Sequence, residues 1–190
     1  MMLKRIALAA ALALGPLLFT GAGLADTDPP KTYGDAMRWY KQAARAGNPR
    51  AQFFLGLMYE RGINVKEDAT AAASWFAKAA AQGHAEAQFK LALMYEKGAG
   101  VPMSAVQAAR WYREAAKAGL GAAQYNLGVL YANGEGVGRD DVLAYMWLDL
   151  AAGNGLKQAK AFRDSLSRRM TPADIAAAKK RVRARRPKGK

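Results

Sequence analysis

Few residues in this chain could do chemistry. Among 190 residues there is one histidine, His84, and no cysteine. Without a thiol there is neither a cysteine nucleophile nor a cysteine metal ligand. A serine–histidine–acid triad would have to use His84, and Ser74, Ser104, Ser165 and Ser167 all stand outside a G-x-S-x-G elbow. A zinc site built on one histidine would need several carboxylates, and no such cluster is visible. Asp140-Asp141 is an adjacent pair that hydrolase chemistry could use, but its place before an apolar run reads better as a helix start. "GAGVPMS" and "GEGVGRD" are glycine-rich, but they lack the order of a phosphate-binding loop and read as connections between helices. The expectation is a chain with no catalytic residue, no metal and no cofactor.

What does recur is packing vocabulary. "WYKQAARAG", "WFAKAAAQG" and "WYREAAKAG" begin at Trp39, Trp75 and Trp111, and Trp147 follows at the same step of 36 residues. Ala-Ala at 43–44, 79–80, 115–116 and 151–152 keeps that step, as do Gly47, Gly83, Gly119 and Gly155. Ala-Gln recurs at 51–52, 87–88 and 123–124, with no insertion anywhere. A fixed period of this length is the signature of a stacked repeat.

Each unit divides into two helices. First helices are predicted over 50–61, 86–97 and 122–133, and second helices over 69–82, 105–118 and 141–152, because apolar residues fall at helical spacing. Asp68, Ser104 and Asp140 precede the second helices and can accept from the free N–H groups of the first turn. Gly47, Gly83 and Gly119 end helices, and Asn64, Gly100 and Gly136 suit a left-handed loop position. One such pair cannot bury its own apolar stripe, whereas stacked copies bury each other's. In this reading the tryptophan is the large core block and His84 is an ordinary loop residue, since Asn48 and Leu120 hold the same place.

"AQFFLGLMYERGINVKEDATAAASWFAKAAAQG", "AQFKLALMYEKGAGVPMSAVQAARWYREAAKAG" and "AQYNLGVLYANGEGVGRDDVLAYMWLDLAAGNG" resemble Sel1-like repeats, relatives of the tetratricopeptide repeat. The resemblance implies an all-α fold: an α/α solenoid, a right-handed superhelix of helix pairs with a concave groove. It also implies protein–protein interaction or scaffolding and no enzymatic role. The ending from Tyr145 to Lys180 resembles the closing cap of such proteins, and Lys160, Ser167 and Met170 break the 36-residue pattern there. Thr171-Pro172 then starts a last helix.

If the recurring positions pack, the changing ones are free to bind. On the first helices these are Arg50, Phe54, Leu57 and Arg61, then Glu86, Lys90, Leu93 and Lys97, then Ala122, Asn126, Val129 and Asn133. By resemblance they line the concave side, with Phe54 as the leading anchor for a protein partner. A merely solvated face is the competing reading.

The two ends differ from the body. Residues 1–25 read as a cleavable export signal, with a basic start, a short apolar run and the small-residue end "TGAGLA". This places the mature chain in the periplasm or outside the cell, with 26–35 as a linker, 36–170 as the solenoid with its cap, and 171–190 as terminal helix and basic tail. No later stretch is apolar enough to span a bilayer. The net charge of +14 sits mostly in residues 157–190, which hold 13 basic and 2 acidic side chains. Lys179, Lys180, Arg181, Arg183, Arg185, Arg186, Lys188 and Lys190 form a basic tail that fits an anionic envelope surface, such as acidic lipid, lipopolysaccharide or an acidic protein face. It has no aromatic residue to stack on bases, and export also argues against nucleic acid. A disordered solubilising tail is the alternative.

Overall fold

The computed structural model describes residues 33–185, which form nine helices and no strand. They are α1 (Tyr33–Arg45), α2 (Pro49–Arg61), α3 (Ala69–Ala81), α4 (Ala85–Lys97), α5 (Ala105–Lys117), α6 (Gly121–Asn133), α7 (Asp141–Gly153), α8 (Lys157–Ser167) and α9 (Pro172–Arg185). The expected helix pairs are present as α2–α3, α4–α5 and α6–α7, with limits within one residue of those read from the pattern. Each of α1 to α8 packs chiefly on its neighbours in the chain, so the molecule is an all-α solenoid. The presumed export signal, residues 1–25, lies outside the described residues.

Local chemistry sets the helix ends. Asp68, Ser104 and Asp140 accept from the N–H groups of Ala71 (2.9 Å), Gln107 (3.3 Å) and Leu143 (2.8 Å), as capping residues should. Asn64 has φ 58°, the left-handed loop conformation expected of it. At the matching Gly100 a Cβ would stand 2.2 Å from the Ala69 carbonyl oxygen, so only glycine lets that loop close on the preceding repeat.

The core corrects one reading. One residue after the tryptophan, α3, α5 and α7 each carry a fully buried large side chain, Phe76, Tyr112 and Leu148, joined on α7 by Met146. Phe76 sits where a Cβ on Gly56 would come within 2.5 Å of its ring, so the small residue on the first helix makes room for the block on the second. Trp75 and Trp111 are half-buried at seams between clusters, and only Trp147 is buried. The tryptophan is a seam filler in the middle of the stack and a core residue only at its end.

The last helix makes that difference. α9 packs on α7, two elements back in the chain, through buried Ala178 and Val182 on one face. Thr171 caps it, accepting from Asp174 N at 3.1 Å. The Arg185 guanidinium lies 5.2 Å from the Trp147 ring centroid and donates to Met146 Sδ at 3.2 Å. Residues 179–185 of the basic run are therefore turns of a docked helix rather than a loose tail.

Candidate functional site

Three surfaces carry side chains not consumed by the repeated core. The first is the face of α2, α4 and α6. Arg50, Arg61, Glu86, Lys97 and Asn133 are exposed there, and Phe54, Leu57, Lys90, Leu93, Ala122, Asn126 and Val129 are partly buried. Several of the latter join one repeat to the next. Lys90 donates to both oxygens of Glu60, at 3.0 and 2.8 Å, bridging α4 to α2. Leu57 and Leu93 pack against core clusters, and Phe54 stands 5.3 Å from the Tyr40 ring. Asn126 hydrogen-bonds Tyr112, whose hydroxyl also donates to Glu96. Burial and that carboxylate raise the Tyr112 pKa well above the usual phenol range. The face thus separates into an exposed charged rim, which changes from copy to copy, and a partly buried strip that locks the register.

The second surface is α9. Lys179, Lys180, Arg181, Arg183 and Arg185 are all exposed, with no acid among residues 175–185. Arg186, Lys188 and Lys190 lie outside the described residues. Beside α9 a groove of about 720 Å³ opens between the C-terminal ends of α5 and α7, lined among others by Lys117, Gly119, Gln124, Trp147, Asn154 and Arg185.

The third surface is the edge where first helices begin. Gln52, Gln88 and Gln124 are buried polar residues, a role that their recurrence alone did not reveal. Each donates Nε2 to the carbonyl of the alanine eight residues earlier: Ala44 (3.1 Å), Ala80 (3.1 Å) and Ala116 (3.2 Å). At two junctions an amide from the next repeat completes the bond set. Gln82 Nε2 reaches Gln52 Oε1 at 2.8 Å and the Gly47 carbonyl at 2.9 Å. Asn154 Nδ2 reaches Gln124 Oε1 at 2.9 Å and the Gly119 carbonyl at 3.2 Å. Pairs some 30 residues apart are invisible to within-helix periodicity.

His84 is more than a loop residue. It is the N-cap of α4: its Nδ1 accepts from Ala87 N at 3.4 Å, as Asn48 Oδ1 accepts from Ala51 N at 3.0 Å on α2. Its ring stacks on Phe53 with centroids 4.7 Å apart. Burial lowers its pKa, opposed by Glu86 and reinforced by Arg50. Asp140 and Asp141 are also occupied: Asp140 caps α7, and Arg139 and Arg169 flank Asp141, the latter at 3.0 Å. Burial pushes the Asp141 pKa up, but those guanidinium bonds hold it below the ordinary carboxylate value. Among the described residues no group of three His, Asp or Glu side chains could hold a metal ion, and no helix is long and apolar enough to cross a membrane.

The Sel1 repeat model matches residues 8–48, 49–84, 85–120 and 121–156, its first match beginning inside the stretch read as an export signal. No relative among the curated proteins matches the chain. Among solved structures, a Sel1 repeat protein from Oxalobacter formigenes is 37% identical with TM-score 0.66, over 69% of this chain and 54% of that one. The c5321 protective antigen of uropathogenic Escherichia coli, which displays the same repeat fold, is 32% identical with TM-score 0.59, over 86% of this chain and 42% of that one. The chain thus spans about half the length of these neighbours or less. Repeats of this kind generally mediate contacts between proteins. With four matched repeats, the last three of them seen stacked as the helix pairs α2–α3, α4–α5 and α6–α7, the chain belongs to the Sel1 repeat family.

Proposed function

We propose that this chain is an exported, non-catalytic scaffold that grips a protein partner along the face of α2, α4 and α6, in the periplasm or outside the cell. One observation carries the reading. The buried ladder beneath the face repeats from copy to copy, while the exposed rim changes from Arg50 and Arg61, through Glu86 and Lys97, to Asn133 beside the partly buried Ala122. Packing explains the constancy, and a partner read along the stack explains the variation. The rim is basic at its first unit and neutral at its third, which suits a segment with acidic residues at one end. A periplasmic regulator that holds an envelope protein in check is one form of this function. Affinity capture from an envelope extract tests it, with the chain from Asp26 as bait beside the double variant Phe54→Ala, Arg61→Glu. The variant should lose the captured protein, and equal capture would refute the groove.

The exposed cations of α9 favour a second reading, an anchor to anionic lipid, lipopolysaccharide or an acidic protein face. Docking on α7 holds Lys179, Lys180, Arg181 and Arg183 on a rigid body, where they act together. Vesicles of anionic lipid should then bind the full chain and release it steeply with salt.

A further inference from the structure

The three junctions between repeats are not equal. Ala118 stands where Gln82 and Asn154 stand one repeat before and after, with nearly the same backbone conformation (φ −71° against −90° and −85°). Alanine has no donor. Gln88 Oε1, at a residue only 7% exposed, is accordingly buried without a hydrogen-bond partner, alone in this among buried side-chain polar atoms of the described residues. The Gly83 carbonyl likewise loses the amide that its counterparts Gly47 and Gly119 receive. A buried acceptor left unpaired is costly enough that native proteins rarely keep one without a reason.

We propose that this junction is a seat for a primary carboxamide, the side chain of an asparagine or glutamine in a bound protein segment. Its neighbours show what fits. At both complete junctions one NH2 group, planar and with two protons, bridges a glutamine Oε1 and a glycine carbonyl. The rim of the seat faces solvent, since Ala118 and Gly83 are exposed and a Cβ on Gly83 would meet nothing within 4 Å, while Gln88 Oε1 lies covered beneath it, so a carboxamide must part the groups above that oxygen to reach it. Lys117, next to Ala118 and exposed, disfavours a second ammonium there. Ala118 and Lys117 also line the groove beside α9, so a segment lying in that groove passes the seat. The idea rests on the reading of the chain as a binder of proteins, but its test does not use the partner.

The probe is acetamide, titrated into the full 15N-labelled chain while the Gln88 side-chain amide is followed by NMR. That amide is held on Ala80 O and so reports from inside the seat. Saturable shifts with acetamide, and none with methyl acetate, which has no donor, are expected. Ala118→Gln should abolish the response and raise the melting temperature, because its own amide fills the seat. The absence of a saturable shift would mean that no carboxamide enters the site, and an unchanged response in Ala118→Gln would place the binding elsewhere; either overturns the proposal. Phe54→Ala, Arg61→Glu should leave the acetamide response intact, so failure of the seat and failure of the groove are separable.

Discussion

Trp75 and Trp147 hold the same place in their repeats, and their surroundings differ by one helix. Over Trp75 lies Lys78 from the same turn, 4.1 Å from the ring, and the indole stays half-buried. Over Trp147 lies Arg185 from α9, with Val182 in the same cluster, and the indole is 4% exposed. A residue type alone therefore says little about its energetic role. What seals it comes from another element, and at the end of a stack that element must be a cap.

The comparison can be broken by substitution. Trp147→Ala should cost about 3–5 kcal/mol, as truncation of a buried aromatic does. Trp75→Ala should cost about half as much, in keeping with the smaller area it buries. Urea unfolding of both variants measures this, and equal losses would mean that α9 seals nothing. Val182→Asp sets a carboxylate into the α9–α7 contact and should cost roughly 3 kcal/mol, at the upper end for single substitutions. In a chain whose other three tryptophans are phenylalanine, it should also move Trp147 emission to longer wavelength. Emission unchanged from the parent would show α9 still docked. The smallest effect concerns His84. Its folded pKa lies below the unfolded value of 6.5, so the unfolded chain binds the proton better. Its contribution is full above pH 6.5 and is lost as pH falls through the lowered folded value. Protonation also removes the Nδ1 lone pair that caps α4. His84→Asn, which copies Asn48, should keep the cap and flatten that stretch of the pH–stability curve. Retention of the full slope would assign it to other groups.

Much of the fold was legible because the chain could be compared with itself. Helix limits, the caps at Asp68, Ser104 and Asp140, and the left-handed Asn64 all depend on residues close in sequence, where spacing is informative. The core block was misread for a physical reason. Identity drew attention to the tryptophans, while the buried block varies as Phe76, Tyr112 and Leu148, each set against a small residue of the first helix, Gly56, Ala92 or Gly128. The site was less legible. Lys90 and Asn126 looked like free groove residues, since nothing within one helix shows that Glu60 or Tyr112 stands opposite. The last two turns of α9 looked like a tail because their cations outnumber the two buried residues, Ala178 and Val182, that dock them.

The bridge between Glu60 and Lys90 has counterparts one and two repeats on. There the same two places hold Glu96 and Asn126, joined through the Tyr112 hydroxyl, and then Ala132 and Phe162, which share an apolar cluster. One geometric step is thus fastened three ways: by an ion pair, by hydrogen bonds and by apolar contact. These fastenings answer to different solvents. Added salt screens the first and leaves the third tight, whereas cooling weakens the third and spares the first. A stack with uniform geometry therefore need not bend uniformly, and its curvature becomes something that ionic strength and temperature can tune joint by joint.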